Sequence, residues 1–378
     1  MKVEQKQWNR THGWSQTGYQ LKEKAAVVLA FGNCQVLGDP QRYHELKQFY
    51  PDAHILTCTT AGEIIGAKLL DNSIVVSAIH FDKTTVKAAA VDIAYPGESY
   101  QKGYELAQKL KSDGLAHLFV ISDGHIVNGS DLVNGLNHGL HKQIPITGGL
   151  AGDGILFKRT LVGIDTPPTE GKIAAIGFYG KNLKVGYGSK GGWDAFGPER
   201  IVTRSEGNVL YDLDNKSALQ LYKQYLGPLS GQLPSSAQFM PIALRLQGSD
   251  HIAVRTILAV NEEDQSMVFT GDLPRNSRVR LMKANLDRLI EEAVSAADNS
   301  LAVMGSFQAD FAVLISCVGR RLALTHRTEE EIEEVTHMLG KNTAVSGFYS
   351  YGEISPVVNS TACELHNQTM TVTVYRED

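Results

Sequence analysis

Apolar runs that stop at glycine or at small polar clusters recur along the chain, at residues 25–31, 54–58, 116–121, 144–147, 311–317 and 343–346. Continuous runs of this kind read as strands buried on both faces. Between them the apolar period lengthens to that of a helix. Tyr43, Leu46 and Tyr50 follow Asp39-Pro40, an N-cap with proline at the first helical position. Helices are also predicted through Tyr100, Tyr104, Ala107 and Leu110, through Leu132, Leu136 and Leu140, and through Leu219, Tyr222 and Leu226. The strongest periodicity runs from Leu286 to Ala297. Thr328 and Glu331 read as a capping box before Ile332, Val335 and Leu339, with Gly340 as the stop.

The remaining runs predict antiparallel structure. Residues 73–81 and 84–91 read as a hairpin around Asp82-Lys83, a poor pair for a two-residue turn. Residues 173–179 and 183–187 flank Gly180-Lys181-Asn182, and 241–246, 253–260 and 267–269 are further strands. Threonines alternate with Met370, Val372 and Val374, as in a half-buried strand. Residues 1–24 are a polar arm anchored by Trp8, His12 and Trp14, and residues 229–238 are a linker candidate. The succession strand, loop, helix, strand at 116–147 is a βαβ unit, which implies parallel pairing. Residues 311–354 repeat it, either as a related half or as a second instance of a common unit. The expected fold class is α/β with α+β character: two mixed-sheet domains, 25–228 and 229–378, after an arm at 1–24.

Three strand ends carry glycine followed by an acid: Thr59-Thr60-Ala61-Gly62-Glu63, Gly148-Gly149-Leu150-Ala151-Gly152-Asp153, and Gly347-Phe348-Tyr349-Ser350-Tyr351-Gly352-Glu353. Any one of them is explained by a turn with a solvated carboxylate. Three together suggest a shared pocket floor, because ligands in open α/β sheets bind beyond the carboxyl ends of strands. None has the spacing of a nucleotide-binding loop.

Composition narrows the chemistry. A net charge of −5 gives no basic field for nucleic acid. No apolar run reaches the ~20 residues of a membrane span, and Met1–Lys6 lacks the apolar core of a signal peptide. Cys34, Cys58, Cys317 and Cys363 form no Cys-x-x-Cys pair and read as reduced thiols, so cytoplasm is expected. The sequons at Asn128, Asn215, Asn359 and Asn367 then read as chance. Arg320 and Arg321 could grip a carboxylate or phosphate, or form a structural ion pair with Glu353. Cys317 is a candidate nucleophile without a neighbouring base, and a buried inert thiol is the plainer reading. Neither a His-Glu-x-x-His nor a Gly-x-Ser-x-Gly motif occurs.

Cys58-Thr59-Thr60-Ala61-Gly62-Glu63-Ile64 resembles the motif of the FIST N-terminal domain, and 148–153 resembles its Gly-Gly-x-Ala-x-Asp. Gly347–Ile354 and Leu365-His366-Asn367-Gln368-Thr369-Met370-Thr371 are similar to FIST C-terminal motifs. Thr57 and Thr59 depart from the usual Gly and Ser. The resemblance implies a sensory module of signal transduction that binds a small ligand and is not an enzyme. Its stand-alone bacterial form resembles NosP-type haem proteins that sense nitric oxide and control a separate histidine kinase. Haem would then take an axial ligand from His125, His326 or His366. Alternatives are a sensor of amino acids or another small carboxylate, using Arg320, Arg321 and Glu353, and an enzyme using Cys317 or a pocket carboxylate. The expected ligand-site residues are Thr59, Thr60, Glu63, Gly148, Gly149, Asp153, Cys317, Arg320, Arg321, Tyr349, Tyr351 and Glu353.

Overall fold

The computed structural model describes residues 1–245, 252–305, 307–357 and 360–378; Leu246 and the sequon at Asn359 lie outside them. The chain is mixed α/β in two domains, with 27% helix and 42% strand. Three six-stranded sheets share one plan. Each holds a parallel pair: Val27–Gly32 with His54–Thr59, Leu115–Ser122 with Ile146–Leu150, and Phe311–Cys317 with Ala344–Ser350. In each, the first strand of the pair also binds an antiparallel strand from later in the chain, Ser73–His80, Lys172–Tyr179 or Met370–Glu377. The repeat seen at 116–154 and 311–354 therefore has a third copy at the start of the chain.

The inner faces of the three sheets bury one aromatic core, with Phe31, Phe119, Phe178, Phe311, Phe348 and Tyr375 among its members. Phe31 and Phe348 meet at 4.7 Å between ring centroids. Helices cover the outer faces. Val28 and Ala30 pack outward with Val36, Leu37 and Leu46, while Leu118, Val120, Ala312 and Leu314 share a second outer core with helices Ser99–Leu110, Gly129–Gly139, Leu286–Met304 and Thr328–Leu339. Burial on both faces explains why these strands are uninterrupted apolar runs. It also corrects the reading of Met370–Glu377 as half-buried: Thr371 and Thr373 are each 1% exposed.

The chain changes sheets after each parallel pair. Glu63–Ile65 leaves the first sheet and pairs with Ala344–Ser350 in the third. Gly352–Pro356 leaves the third and pairs with Ile146–Leu150 in the second. Val162–Ile164 leaves the second and pairs with His54–Thr59 in the first. Each sheet is thus edged by a strand from another repeat. The arm at 1–24 is likewise structural, since Lys2–Asn9 and Gly13–Thr17 extend the first sheet beyond Ser73–His80. The hairpin predicted at Asp82-Lys83 does not form: Ser73–His80 stays in the first sheet while Thr85–Asp92 joins Lys172–Tyr179 in the second. Lys172–Tyr179 and Leu183–Lys190 part in the same way at Gly180.

A subdomain is inserted in the third repeat between Leu183–Lys190 and the helix Leu286–Met304. Its eight-stranded antiparallel sheet begins at Trp193 and ends at Ala284. It has its own core, which includes Val202, Leu210, Leu219, Tyr222, Ile257 and Phe269. The linker candidate at 229–238 lies within this subdomain, mostly in the short 3₁₀ turns Gly227–Gln232 and Ser235–Phe239.

Glycine at 347 is required by packing. A Cβ built there would stand 1.9 Å from the backbone oxygen of Leu314. Gly347→Ala is expected to cost about 1–3 kcal/mol, read as a lower denaturant midpoint at unchanged slope.

Candidate functional site

The three Gly-acid strand ends do converge, and they tie one another. The Ala61 amide donates to Tyr349 O at 2.8 Å and the Tyr349 amide to Gly62 O at 2.9 Å. The Gly152 amide donates to Thr59 O at 2.9 Å, the Gly154 amide to Thr60 O at 3.1 Å, and the Tyr351 amide to Leu150 O at 3.2 Å. A Cβ at Gly152 would lie 3.0 Å from the Ala61 nitrogen, so glycine permits this approach. The backbone groups expected to floor a pocket are therefore occupied by each other.

The acids of the first and third ends turn inward. Glu63 accepts from Thr60 Oγ1 at 2.6 Å and Ser73 Oγ at 2.7 Å. Glu353 repeats the arrangement, accepting from Ser350 Oγ at 2.7 Å and from Thr369 Oγ1 and N at 2.9 and 3.2 Å. Both are at most 1% exposed. Desolvation pushes the carboxyl of Glu63 up to about 7 and that of Glu353 up to about 8, against the pull of these hydroxyls. The signal was present in sequence as a hydroxyl residue three positions before each glutamate. Thr59 is also internal, its Oγ1 accepting from the Leu161 amide at 2.9 Å. Gly148 and Gly149 lie within the strand Ile146–Leu150, paired with Ile354 and Glu353.

The arginines do not face Glu353 as partners. Arg320 is fully buried against Glu331, with Nε at 2.8 Å from Oε1 and Nη2 on the same oxygen. It also donates to the carbonyls of Gly191 and Leu289. The second oxygen of Glu331 accepts from Tyr349 OH at 2.8 Å and Ser316 Oγ at 3.2 Å. This replaces the capping box expected at Thr328, which is instead the first residue of its helix and donates to Thr325 O. Arg321 forms a bidentate pair with Asp71, at 3.0 and 2.7 Å. Cys317 is 3% exposed and burial pushes its thiol up, which suppresses the thiolate.

Tyr349 and Tyr351 do not wall one pocket. The strand leaves the third sheet at Ser350 and enters the second at Gly352, so Tyr349 points to Glu331 and Tyr351 to Asp153. Asp153 also accepts from the amides of Lys158 and Arg159, each at 2.8 Å. Phe157 stacks on Tyr351 at 4.6 Å, and His125 meets its edge at 5.6 Å. This cluster is the part of the strand-end face that reaches the surface, since His125 and Phe157 are exposed. His125 thus joins the predicted group, whereas His326 lies exposed in the turn Thr325–Arg327. His366 sits on the edge strand Cys363–His366, with Nε2 3.0 Å from Ser355 O.

The fold is that of a mixed α/β protein with several mixed sheets in two domains. The chain belongs to the FIST family: residues 26–216 match the FIST N domain and residues 218–356 the FIST C domain. FIST domains are small-ligand-binding sensor domains of signal transduction. An uncharacterized protein of Methanocaldococcus jannaschii, MJ1623, is 24% identical over 319 residues, covering 78% of this chain and 60% of that protein. The chain therefore spans about three fifths of that curated relative's length. Among solved structures, a cyanuric acid hydrolase from A. caulinodans aligns over 94% of this chain and 90% of its own, at 8% identity and a TM-score of 0.38. Among the described residues, no helix is long and apolar enough to cross a membrane.

Proposed function

We propose that this chain is a cytoplasmic sensor whose small-molecule ligand biases the fit of the inserted subdomain against the three-sheet core, and that a separate signalling protein reads the result. The observation that carries this is the commitment of the reactive-looking groups to structure. Arg320, Arg321, Glu63 and Glu353 are held by protein partners, and Cys317 is a buried, poorly ionised thiol. This weighs against catalysis by these groups, and the binding reading rests on the FIST N and FIST C matches. It also removes the basis for an amino-acid site built from Arg320, Arg321 and Glu353. The mechanism is a population shift: a ligand that binds one arrangement more tightly raises its share, and the partner binds the two arrangements differently.

The finer reading, haem with nitric oxide as the signal and a histidine kinase as partner, rests on family resemblance. Haem needs an apolar slot beside an axial ligand. His125 and His326 are exposed, and His366 already contacts a backbone carbonyl, so these residues do not form such a slot. Thermal denaturation against a panel of small metabolites tests the general reading, since a ligand at 100 times its Kd adds about 2.7 kcal/mol. Stabilisation by none of them sinks it. Mixing with haem tests the finer one: a Soret band at one haem per chain, lost on changing one of the three histidines, supports it, and a colourless protein overturns it.

A further inference from the structure

The seam between the inserted subdomain and the core is held by residues 365–368 of the motif at 365–371. Trp193 Nε1 donates to Gln368 O at 2.9 Å, Gln368 Nε2 to Thr256 Oγ1 at 3.0 Å, and Thr270 Oγ1 to Asn367 Oδ1 at 2.6 Å. Arg255 Nη1 reaches Leu365 O at 3.5 Å. Trp193, Thr256, Thr270 and Arg255 belong to the insertion, and residues 365–368 to the core.

This seam leaves polar atoms unmatched. Seven buried side-chain nitrogen or oxygen atoms among the described residues have no partner, and four lie here: Ser130 Oγ, Arg255 Nε, Asn367 Nδ2 and Gln368 Oε1. Buried polar groups are ordinarily satisfied, so such a cluster calls for an explanation. Asn367 is 1% exposed and Gln368 0%. The set is rich in donors, since Arg255 Nε–H, the Asn367 amide NH₂ and the Ser130 hydroxyl can all donate.

Arg255 is the sharpest case. Among the described residues it forms no ion pair, and its one other bond is from Nη1 to the carbonyl of Val254 at 3.0 Å. Asp272 and Glu364 act on it electrostatically without reaching ion-pair distance. Desolvation lowers its pKa, yet a guanidinium remains charged in a protein. Arg255 is only partly buried, but its Nε is shielded from water, and unlike Arg320, which has Glu331, it has no ion-pair partner among the described residues. A Cβ built at Gly271 would stand 2.7 Å from Ser130 Oγ and 2.8 Å from Arg255 Nε, so the two unmatched donors converge beside a residue with no side chain. Ser130 lies in the first turn of the helix Gly129–Gly139, beside Asp131, and Asn128 caps the amides of both.

We propose that this seam binds the oxyanion head group of a small ligand, a carboxylate or a phosphate, between the Arg255 guanidinium and Ser130 Oγ. The position suits the sensory reading, on which its signalling consequence rests. Arg255 is carried by the insertion and Ser130 by the core, so an anion that bridges them draws the two together. Small-molecule sites fall preferentially at such interfaces, and guanidinium forks match both head groups.

The test uses the full chain, with thermal midpoints and calorimetry in sodium acetate and in sodium phosphate, each against sodium chloride at equal ionic strength. Wild type should bind one of the two anions. Arg255→Met should lower that affinity at least tenfold, and Ser130→Ala severalfold. If Arg255→Met does not fold, Arg255→Lys and Ser130→Ala carry the comparison. Preference for phosphate assigns a phosphorylated ligand, and preference for acetate a carboxylate. No stabilisation beyond chloride, or equal binding by wild type and the Arg255 variant, overturns the site. A neutral metabolite that stabilises the chain while both anions fail removes this site and leaves the sensory reading standing.

Discussion

Replacing Arg320 with methionine is expected to destabilise the chain by roughly 3–5 kcal/mol, the usual cost of leaving one half of a buried ion pair alone. The side chains of Arg320 and Glu331 are both 0% exposed, so water cannot solvate the remaining carboxylate. The loss spreads beyond the pair. Arg320 also holds the carbonyls of Gly191, at the approach to the insertion, and Leu289, at the start of the long helix after it. Glu331 in turn holds Tyr349 and Ser316 on the parallel pair of the third sheet. The double replacement Arg320→Met with Glu331→Leu should recover only the part due to the stranded carboxylate, because it leaves Tyr349 OH, Ser316 Oγ and the carbonyls of Gly191 and Leu289 without these partners. Urea denaturation of the two single variants and the double variant measures the coupling. Additive losses would show that the two side chains act independently.

Stability is expected to fall as pH rises from about 5 to 9, through the buried carboxyls of Glu63 and Glu353, whose values of about 7 and about 8 lie above the ordinary 4.5. For a group whose pKa is raised on folding, the native state binds the extra proton. Its contribution is complete below about 4.5 and is lost as pH climbs through 7 and 8. At 1.36 kcal/mol per pKa unit, Glu353 alone accounts for a few kcal/mol. Glu353→Gln should flatten the upper part of the profile and leave the part due to Glu63. Denaturation midpoints from pH 5 to 9 for both proteins decide it, and parallel profiles would assign the slope to other groups.

Much of the scaffold was legible in the apolar runs, since strands buried on both faces leave an unbroken trace. The βαβ units at 116–147 and 311–346 and the three Gly-acid ends were all visible. The third repeat copy was obscured because its helical part is split into Cys34–Leu37 and Pro40–Phe49. Strand exchange was not legible at all, because Glu63–Ile65 and Gly352–Pro356 pair with segments more than 200 residues away. Thr328 and Glu331 show how a local motif misleads. Their spacing suits a capping box, but the helix starts one residue earlier than that box requires, and Glu331 turns to Arg320. Arg255 carried no signal, as nothing in sequence marks an arginine that folding leaves without a carboxylate.

The exchange of edge strands bears on how the chain acquires its shape during synthesis. The two matched regions meet at residue 217, yet the second sheet, drawn mainly from the earlier one, is completed by Gly352–Pro356. Glu63–Ile65 waits in the same way for Ala344–Ser350. A nascent chain that has emerged only to residue 217 therefore presents an open edge at Ile146–Leu150, a stranded hairpin at Glu63–Leu70 and an unpaired strand at Leu183–Lys190. Open edges recruit foreign strands, and pairings this distant form late. The sheets of the N-terminal half are thus completed only once residues 344–356 have been synthesised.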